Sequence, residues 1–293
     1  MTAPTQAPVP VDDAALKARL RAMWSLGDYP RVAHDVIPTL GATLVDACGI
    51  REGQRVLDVA AGAGNASIPA AAAGARVVAS DLSPALLDAG RRASAERGVE
   101  LEWQEADVED LPYDADSFDA VLSCVGVMFA PHHQRSADEI VRVCRPGGTI
   151  GLASWTPEGF VGQMLRTMSP YAPPPPPGAQ PPPLWGSPEH VLGLLGDRVT
   201  DVDTERRTVR VDRFATGAEF RDFFKANYGP TVAVYRAIAE DPARVAGLDA
   251  ALADLAEAHG VVQEAHGTAD GGATTRTLVM EWEYLLLTAR KRA

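Results

Sequence analysis

The stretch Val56-Leu-Asp-Val-Ala-Ala-Gly-Ala-Gly64-Asn65 holds the residues best placed to do chemistry. Glycines between a strand and a helix let a ligand approach bare backbone. Asp81 ends the next predicted strand, 19 residues beyond Gly62. A carboxylate at that distance can accept both hydroxyls of a ribose. The pair of signals points to a nucleoside-bearing ligand, and a tight strand–helix turn with no ligand is the competing reading. A dinucleotide fingerprint would need Gly or Ala at its third position, with pyrophosphate on the helix N-terminus. That position is Ser67, and Asp58 stands at the mouth of the loop. The Asp58 carboxylate disfavours a phosphate and suits a cationic amino-acid tail. These residues favour S-adenosylmethionine over NAD.

The elements that must hold these residues alternate. RVLDVA (55–60), ARVVAS (75–80), ELEWQE (100–105), DAVLSCV (119–125) and TIGLASW (149–155) read as buried strands. Helices are predicted after the glycine loop as far as Gly74, from Pro84 to Gly98 with Ser83 as cap, and over 134–144. Such alternation implies a parallel, doubly wound sheet covered on both faces. Before it, Leu16, Leu20, Met23 and Trp24 recur at helical spacing, and a second helix is expected from Pro30 to Gly49. After Trp155 the rhythm breaks: a helix over 157–169, a proline tract, a strand over 199–212, helices over 217–259 broken at Pro230 and Pro242, and a last strand over 275–291. The tract YAPPPPPGAQPPPLW reads as a stiff polyproline II spacer; residues 1–12 read as a mobile tail.

VLDVAAGAGN, then VVASDLSP, then EADVEDLPYDADSFDAVLS, then RVCRPGG resembles the class I S-adenosylmethionine-dependent methyltransferases, and within them the methyltransferase type 11 and ubiquinone/menaquinone C-methyltransferase-like group. The resemblance covers residues 30–156 well and the final strand less specifically. It implies a Rossmann-like α/β fold with a seven-stranded sheet whose last strand is antiparallel. It also implies site roles. Gly62 and Gly64 lie under the methionyl part of the cofactor, with Asp58 near its amino group, and Asn65 beside them is a further cofactor-binding residue. Asp81 binds the ribose and Leu82 flanks the adenine. Asp107 accepts from the adenine amino group beside Val108, and Ser123 or Cys124 offers a backbone carbonyl to the cofactor amine. Many relatives carry a histidine pair soon after the fourth strand, where this chain has Met128 and Phe129. His132 and His133 follow slightly later and, with His34, are the candidates for a catalytic histidine; no metal ligand set is expected.

On this reading the chain is one domain over 13–293, with an N-terminal helical lid (13–49) and a helical insert after strand five (157–260). The insert is rich in aromatics, and such a roof suits an apolar pocket for a small organic acceptor. Trp24, Tyr29, Met128, Phe129, Trp155, Trp185 and Tyr228 are its candidate lining. Methyl transfer from a sulfonium is an in-line displacement in which the protein mainly positions the reactants. The absence of an evident catalytic dyad therefore does not count against it. The alternatives are a protein that binds S-adenosylmethionine without methylating, and an NAD-dependent oxidoreductase.

Composition sets the outer bounds. Acidic residues outnumber basic ones by 39 to 27, a net charge of −12 that repels nucleic acid in the absence of a basic patch. Hydrophobic residues at 46% fit a globular chain. Cys48, Cys124 and Cys144 lie far apart, so no dithiol or disulfide framework is expected and a reducing cytoplasm is. The first residues lack a signal-peptide pattern, and no stretch approaches the ~18 apolar residues of a membrane span. The expected partner is a small-molecule acceptor, not a nucleic acid or a membrane, and monomer and homodimer both stay open.

Overall fold

The computed structural model describes residues 13–265 and 275–293. The tail expected over 1–12 lies outside the described residues.

Three helices come first: α1 (Asp13–Trp24), α2 (Tyr29–Val36) and α3 (Leu40–Ala47). Asp28 caps α2, its carboxylate accepting from the Arg31 amide at 3.1 Å, and Pro30 sits in the first turn. The single helix expected over 30–49 is two. Pro38 disfavours helical backbone at the residue before it and has no amide of its own to donate. α2 therefore stops before Ile37, and α3 restarts at Leu40.

The alternating half follows as β1 (Arg55–Val59), α4 (Ser67–Ala72), β2 (Arg76–Asp81), α5 (Pro84–Glu96), β3 (Glu102–Glu105), β4 (Phe118–Cys124), α6 (His133–Val143) and β5 (Cys144–Trp155). Ser83 holds the cap position of α5, but its hydroxyl makes no cap bond. β5 begins at Cys144 rather than Thr149, because the ladder with β4 runs through a bulge: Phe118 pairs with Cys144, then Ala120 with Thr149. The remainder is α7 (Phe160–Met168), α8 (Pro188–Leu195), β6 (Val199–Phe214), α9 (Gly217–Asn227), α10 (Gly229–Ala237), α11 (Pro242–His259), β7 (Gly260–Ala265) and β8 (Thr275–Lys291). Pro230 and Pro242 open α10 and α11, where a missing N–H costs no helical bond.

The sheet runs β3-β2-β1-β4-β5-β8-β6. β1 to β5 are mutually parallel, β8 is antiparallel to β5, and β6 is antiparallel to β8. This is the expected seven-strand path with its antiparallel close. An eighth strand, β7, pairs antiparallel with the start of β8, from Gly260 opposite Met280 to Ala265 opposite Thr275. Its adjacent Val261 and Val262 are both exposed, at 67% and 43%, so β7 has none of the one-sided alternation that announces a strand.

Val56, Leu57 and Val59 of β1 and Phe118, Ala120, Val121 and Leu122 of β4 are all completely enclosed, as strands covered on both faces must be. Chain order reverses between β1 and β4. In an open parallel sheet the crevice for a ligand lies at the carboxyl ends of the strands beside that reversal. The end of the proline tract is tied down beside the crevice, the Gln180 amide donating to the Pro131 carbonyl at 3.0 Å. Among the described residues no helix is long and apolar enough to cross a membrane.

Candidate functional site

A cleft opens at the carboxyl ends of β1, β2 and β4. The loop after β1 turns through Gly62 (φ +58) and Gly64 (φ +91), backbone that favours glycine. The Gly62 amide donates to Asp81 Oδ2 at 2.8 Å, and the Ser83 amide donates to Asp81 Oδ1 at 2.8 Å. The Leu82 amide also acts on this carboxylate, and since an ionised carboxylate has about four acceptor sites, acceptor capacity remains. Asp81 is only 8% exposed. Burial pushes its carboxyl up to about 6, against the backbone amides that pull it down.

Asp58 lies behind the loop, buried. The Ser67 hydroxyl donates to its Oδ2 at 2.5 Å, while Oδ1 has no partner among the described residues. The Asn65 side-chain nitrogen is likewise buried without a partner. Burial pushes Asp58 up to about 7, the Ser67 bonds oppose this, and the charge of Asp81 adds to it. Ser67, read from sequence as a departure from the dinucleotide pattern, is thus the residue that holds Asp58.

Of the residues named for the cofactor, Gly62, Asn65, Asp81, Leu82, Asp107, Val108 and Cys124 line the cleft. Gly64 faces away from it: a Cβ there would come within 2.7 Å of the Trp103 ring. Ser123 also stands behind the wall, its hydroxyl donating to the Val59 carbonyl and accepting from the Val127 amide, both at 2.9 Å.

Aromatic rings close one end. Trp24 meets Phe129, Tyr29 and Tyr228 edge to face, at centroid distances of 4.8, 5.4 and 5.9 Å. Tyr29 reaches over the glycine loop, its ring 3.5 Å from where a Gly62 Cβ would stand. Burial raises the Tyr29 phenol well above its ordinary value, with Cys124 and Asp81 adding to the effect. It does the same to Tyr228, with Tyr29 adding. Met128, Trp155 and Trp185 are core instead. Met128 is fully buried, Trp155 packs on Trp282 and Tyr284, and Trp185 packs on His133.

None of the three candidate histidines lines the cleft. His34 is exposed, with Nδ1 2.9 Å from Asp35. His132 Nε2 lies 3.3 Å from Asp13. His133 is buried, its Nδ1 2.9 Å from His190 Nε2, and burial pushes it down to about 4, with His190 and His132 adding. Asp13, Glu109 and His132 bring ligand-type atoms within 4.8 Å of one another. Cations already serve that group, Lys17 Nζ at 2.7 Å from Glu109 and Arg135 at 3.2 Å from Asp13.

Several lining residues carry no signal in the sequence, Ala60, Val125, Gly126 and Lys17 among them. Ala60 and Val125, just past the ends of β1 and β4, both have φ +50, unusual for residues with a side chain. Gly126 packs so close to the first of them that a Cβ would lie 2.0 Å from the Ala60 carbonyl oxygen. Lys17 of α1 reaches the cleft from a helix whose chemistry the apolar spacing hid.

A methyltransferase domain is matched over residues 57–152, from β1 through β5. A solved S-adenosylmethionine-dependent methyltransferase from Thermotoga maritima superposes with a TM-score of 0.52 at 13% identity, over 90% of this chain and 94% of that one. The chain carries a methyltransferase domain. The chain is also 51% identical over 271 residues to an uncharacterised protein of Mycobacterium tuberculosis, across 92% of this chain and 93% of that protein. A demethylmenaquinone methyltransferase of Clavibacter sepedonicus is 43% identical over 104 residues, 36% of this chain and 42% of that enzyme. The likeness to the menaquinone enzyme is therefore local, whereas the likeness to the mycobacterial protein spans both chains.

Proposed function

We propose that this chain transfers a methyl group from S-adenosylmethionine to a small organic molecule. One observation carries the reading: Asp81 keeps spare acceptor sites in the cleft, while Asp58 Oδ1 and Asn65 Nδ2 are buried beside the same loop without partners. Buried polar atoms are seldom left unpaired; a ligand with a diol and an amino-acid tail would pair Asp81 and Asn65 at the cleft, and would reach Asp58 behind the loop through water.

The cofactor supplies an activated methyl on a sulfonium, which leaves by in-line displacement. The chain's part is to bind and orient. In this proposal Asp81 accepts the ribose hydroxyls, Leu82 and Val108 flank the adenine, and Asp107 accepts from its amino group. Gly62 and Asn65 lie along the amino-acid tail, with the backbone of Gly64, Ser123 and Cys124 behind it, and Asp58 compensates the charge of its ammonium. Trp24, Tyr29, Phe129 and Tyr228 exclude water at the methyl end and give an apolar acceptor its wall. The helices of 13–49 act as lid, and α9 and α10 from the insert over 157–260 complete that wall. No histidine takes part, and a base is needed only if the acceptor must lose a proton.

The test is turnover of methyl-labelled S-adenosylmethionine against a panel of small apolar alcohols, phenols and amines. Transfer of label to a panel member is expected. Tight binding of the cofactor with no transfer to any member would favour a non-methylating protein.

A further inference from the structure

The face of α1 that carries Asp13, Lys17 and Arg21 lies across three loops of the cleft. Residues four apart on a helix share one face, so these side chains point the same way on successive turns. Asp13 pairs with His132 and Arg135 ahead of α6 and in its first turn. Arg21 donates to the Leu82 carbonyl at 2.9 Å and pairs with Glu105 at 2.5 Å. Lys17, between them, places Nζ 3.0 Å from Asp107 Oδ1 and 2.7 Å from Glu109 Oε2. The Lys17 side chain is only 12% exposed, and that of Glu109 only 2%.

From this geometry we infer that Lys17 is a positioning residue for Asp107, and that through Asp107 it sets the preference of the site for a 6-aminopurine. The inference rests on the cofactor reading above. Asp107 Oδ1 takes both the Lys17 ammonium and the Glu109 amide, each at 3.0 Å. Those two donors fix the rotamer of a side chain that is otherwise 26% exposed and free to swing. With Oδ1 occupied, Oδ2 is the oxygen left to accept a proton donor from a purine edge. A 6-amino group donates there, whereas a 6-oxo group sets oxygen against oxygen. Lys17 touches the carboxylate and not the purine. Its ammonium also cancels the Glu109 charge, which would otherwise be buried without a cation.

Calorimetry with S-adenosylhomocysteine and with its 6-oxo analogue, S-inosylhomocysteine, separates this role from mere support of the fold. The wild type is expected to bind the adenosyl compound at least about tenfold more tightly. Lys17→Met should lose about tenfold in affinity for it, and the adenosyl-to-inosyl ratio should fall toward one. Lys17→Arg, which keeps the cation, should restore the ratio. Lys17→Met combined with Glu109→Gln removes the stranded charge, and serves where the single variant does not fold. A wild-type ratio in the folded methionine variants overturns the inference and leaves the cofactor reading standing. A wild type that binds neither compound overturns the cofactor reading, and this inference with it.

Discussion

The Gly62 amide donates to the Asp81 carboxylate at 2.8 Å, so the turn after β1 is held by the acid that ends β2. The 19-residue interval between them is a direct hydrogen bond. It aligns the edge of the glycine loop with the carboxylate that would hold a ribose, and it couples loop shape to ligand binding. Replacing Asp81 therefore removes two things together: an acceptor for the ligand, and the partner of two backbone amides.

Asp81→Asn tests that coupling with little change in shape. One carboxylate oxygen becomes an NH2 group and faces an amide donor with another donor. Losing a bond to a charged group costs about 1–3 kcal/mol, so the dissociation constant for S-adenosylhomocysteine should rise roughly ten- to hundredfold. Titration calorimetry on the folded variant reads this directly, and an unchanged constant would show that Asp81 does not hold the ligand.

Acidification should weaken cofactor binding before it unfolds the protein. Asp81 sits at about 6 in the free protein, and the ionised form is the one that accepts two hydroxyls. Below that value each ligand must displace a proton, so affinity should fall roughly fivefold between pH 6 and pH 5 and about tenfold for each further unit. The same groups act oppositely on stability. Asp58 at about 7 and Asp81 at about 6 both lie above the ordinary 3.8, so the native state holds protons that the unfolded chain has released. Their contribution to stability falls as pH rises from about 4 to about 7, and is relieved again as pH drops through that window. A dissociation constant flat from pH 7.5 to pH 5 would contradict the assignment.

Ser67→Ala strips Asp58 of its only side-chain donor among the described residues. A buried carboxyl left unsatisfied costs about 1–3 kcal/mol, and its proton should be held still more tightly. Urea unfolding at pH 7 should show the loss. Stability equal to wild type would mean that Ser67 fills space and nothing more.

Most of this site could be read from residue types, because the glycine spacing, Asp58 and Asp81 each carry their chemistry in the side chain or in its absence. What could not be read is positional. Ala60 and Val125 look ordinary until their backbone is seen to turn through φ +50. Lys17 sits in a helix whose apolar residues set the period, and only tertiary packing brings it to Asp107. Trp155 and Trp185 were natural candidates for the mouth, yet both are enclosed by their own neighbours, since an aromatic's type does not say which side of a wall it lines. α2 and α3 read as one helix because the apolar rhythm carries through Pro38. β7 gives no strand signal, because its two valines are both exposed.

Gly126→Ala should damage the site through the backbone alone. Its Cβ would lie 2.0 Å from the Ala60 carbonyl oxygen, which belongs to the opposite wall of the cleft and has no rotamer to yield. Overpacking of this kind costs about 1–3 kcal/mol, and ligand affinity should fall with it. Gly193→Ala in α8 has nothing within 4 Å and serves as the control, expected to be neutral or up to about 1 kcal/mol stabilising. Equal melting temperatures for the two variants would count against the close packing of the β1 and β4 loops.

Trp24 packs on Tyr29, Phe129 and Tyr228, which come from three separate segments, so closing the lid should be felt in each. Hydrogen exchange with S-adenosylhomocysteine is expected to slow in α1 and at the α9–α10 junction as well as in the loops after β1 and β2. Slowing confined to the sheet and its loops would leave the helices as a fixed addition and place the acceptor elsewhere.

The central claim is that this cleft takes the nucleoside of S-adenosylmethionine and not a dinucleotide. Calorimetric titration of the wild-type chain with S-adenosylhomocysteine, and separately with NAD, tests it most directly. The account predicts a micromolar dissociation constant, roughly −8 kcal/mol, for S-adenosylhomocysteine and no measurable heat with NAD. Clear binding of NAD and none of S-adenosylhomocysteine would contradict it.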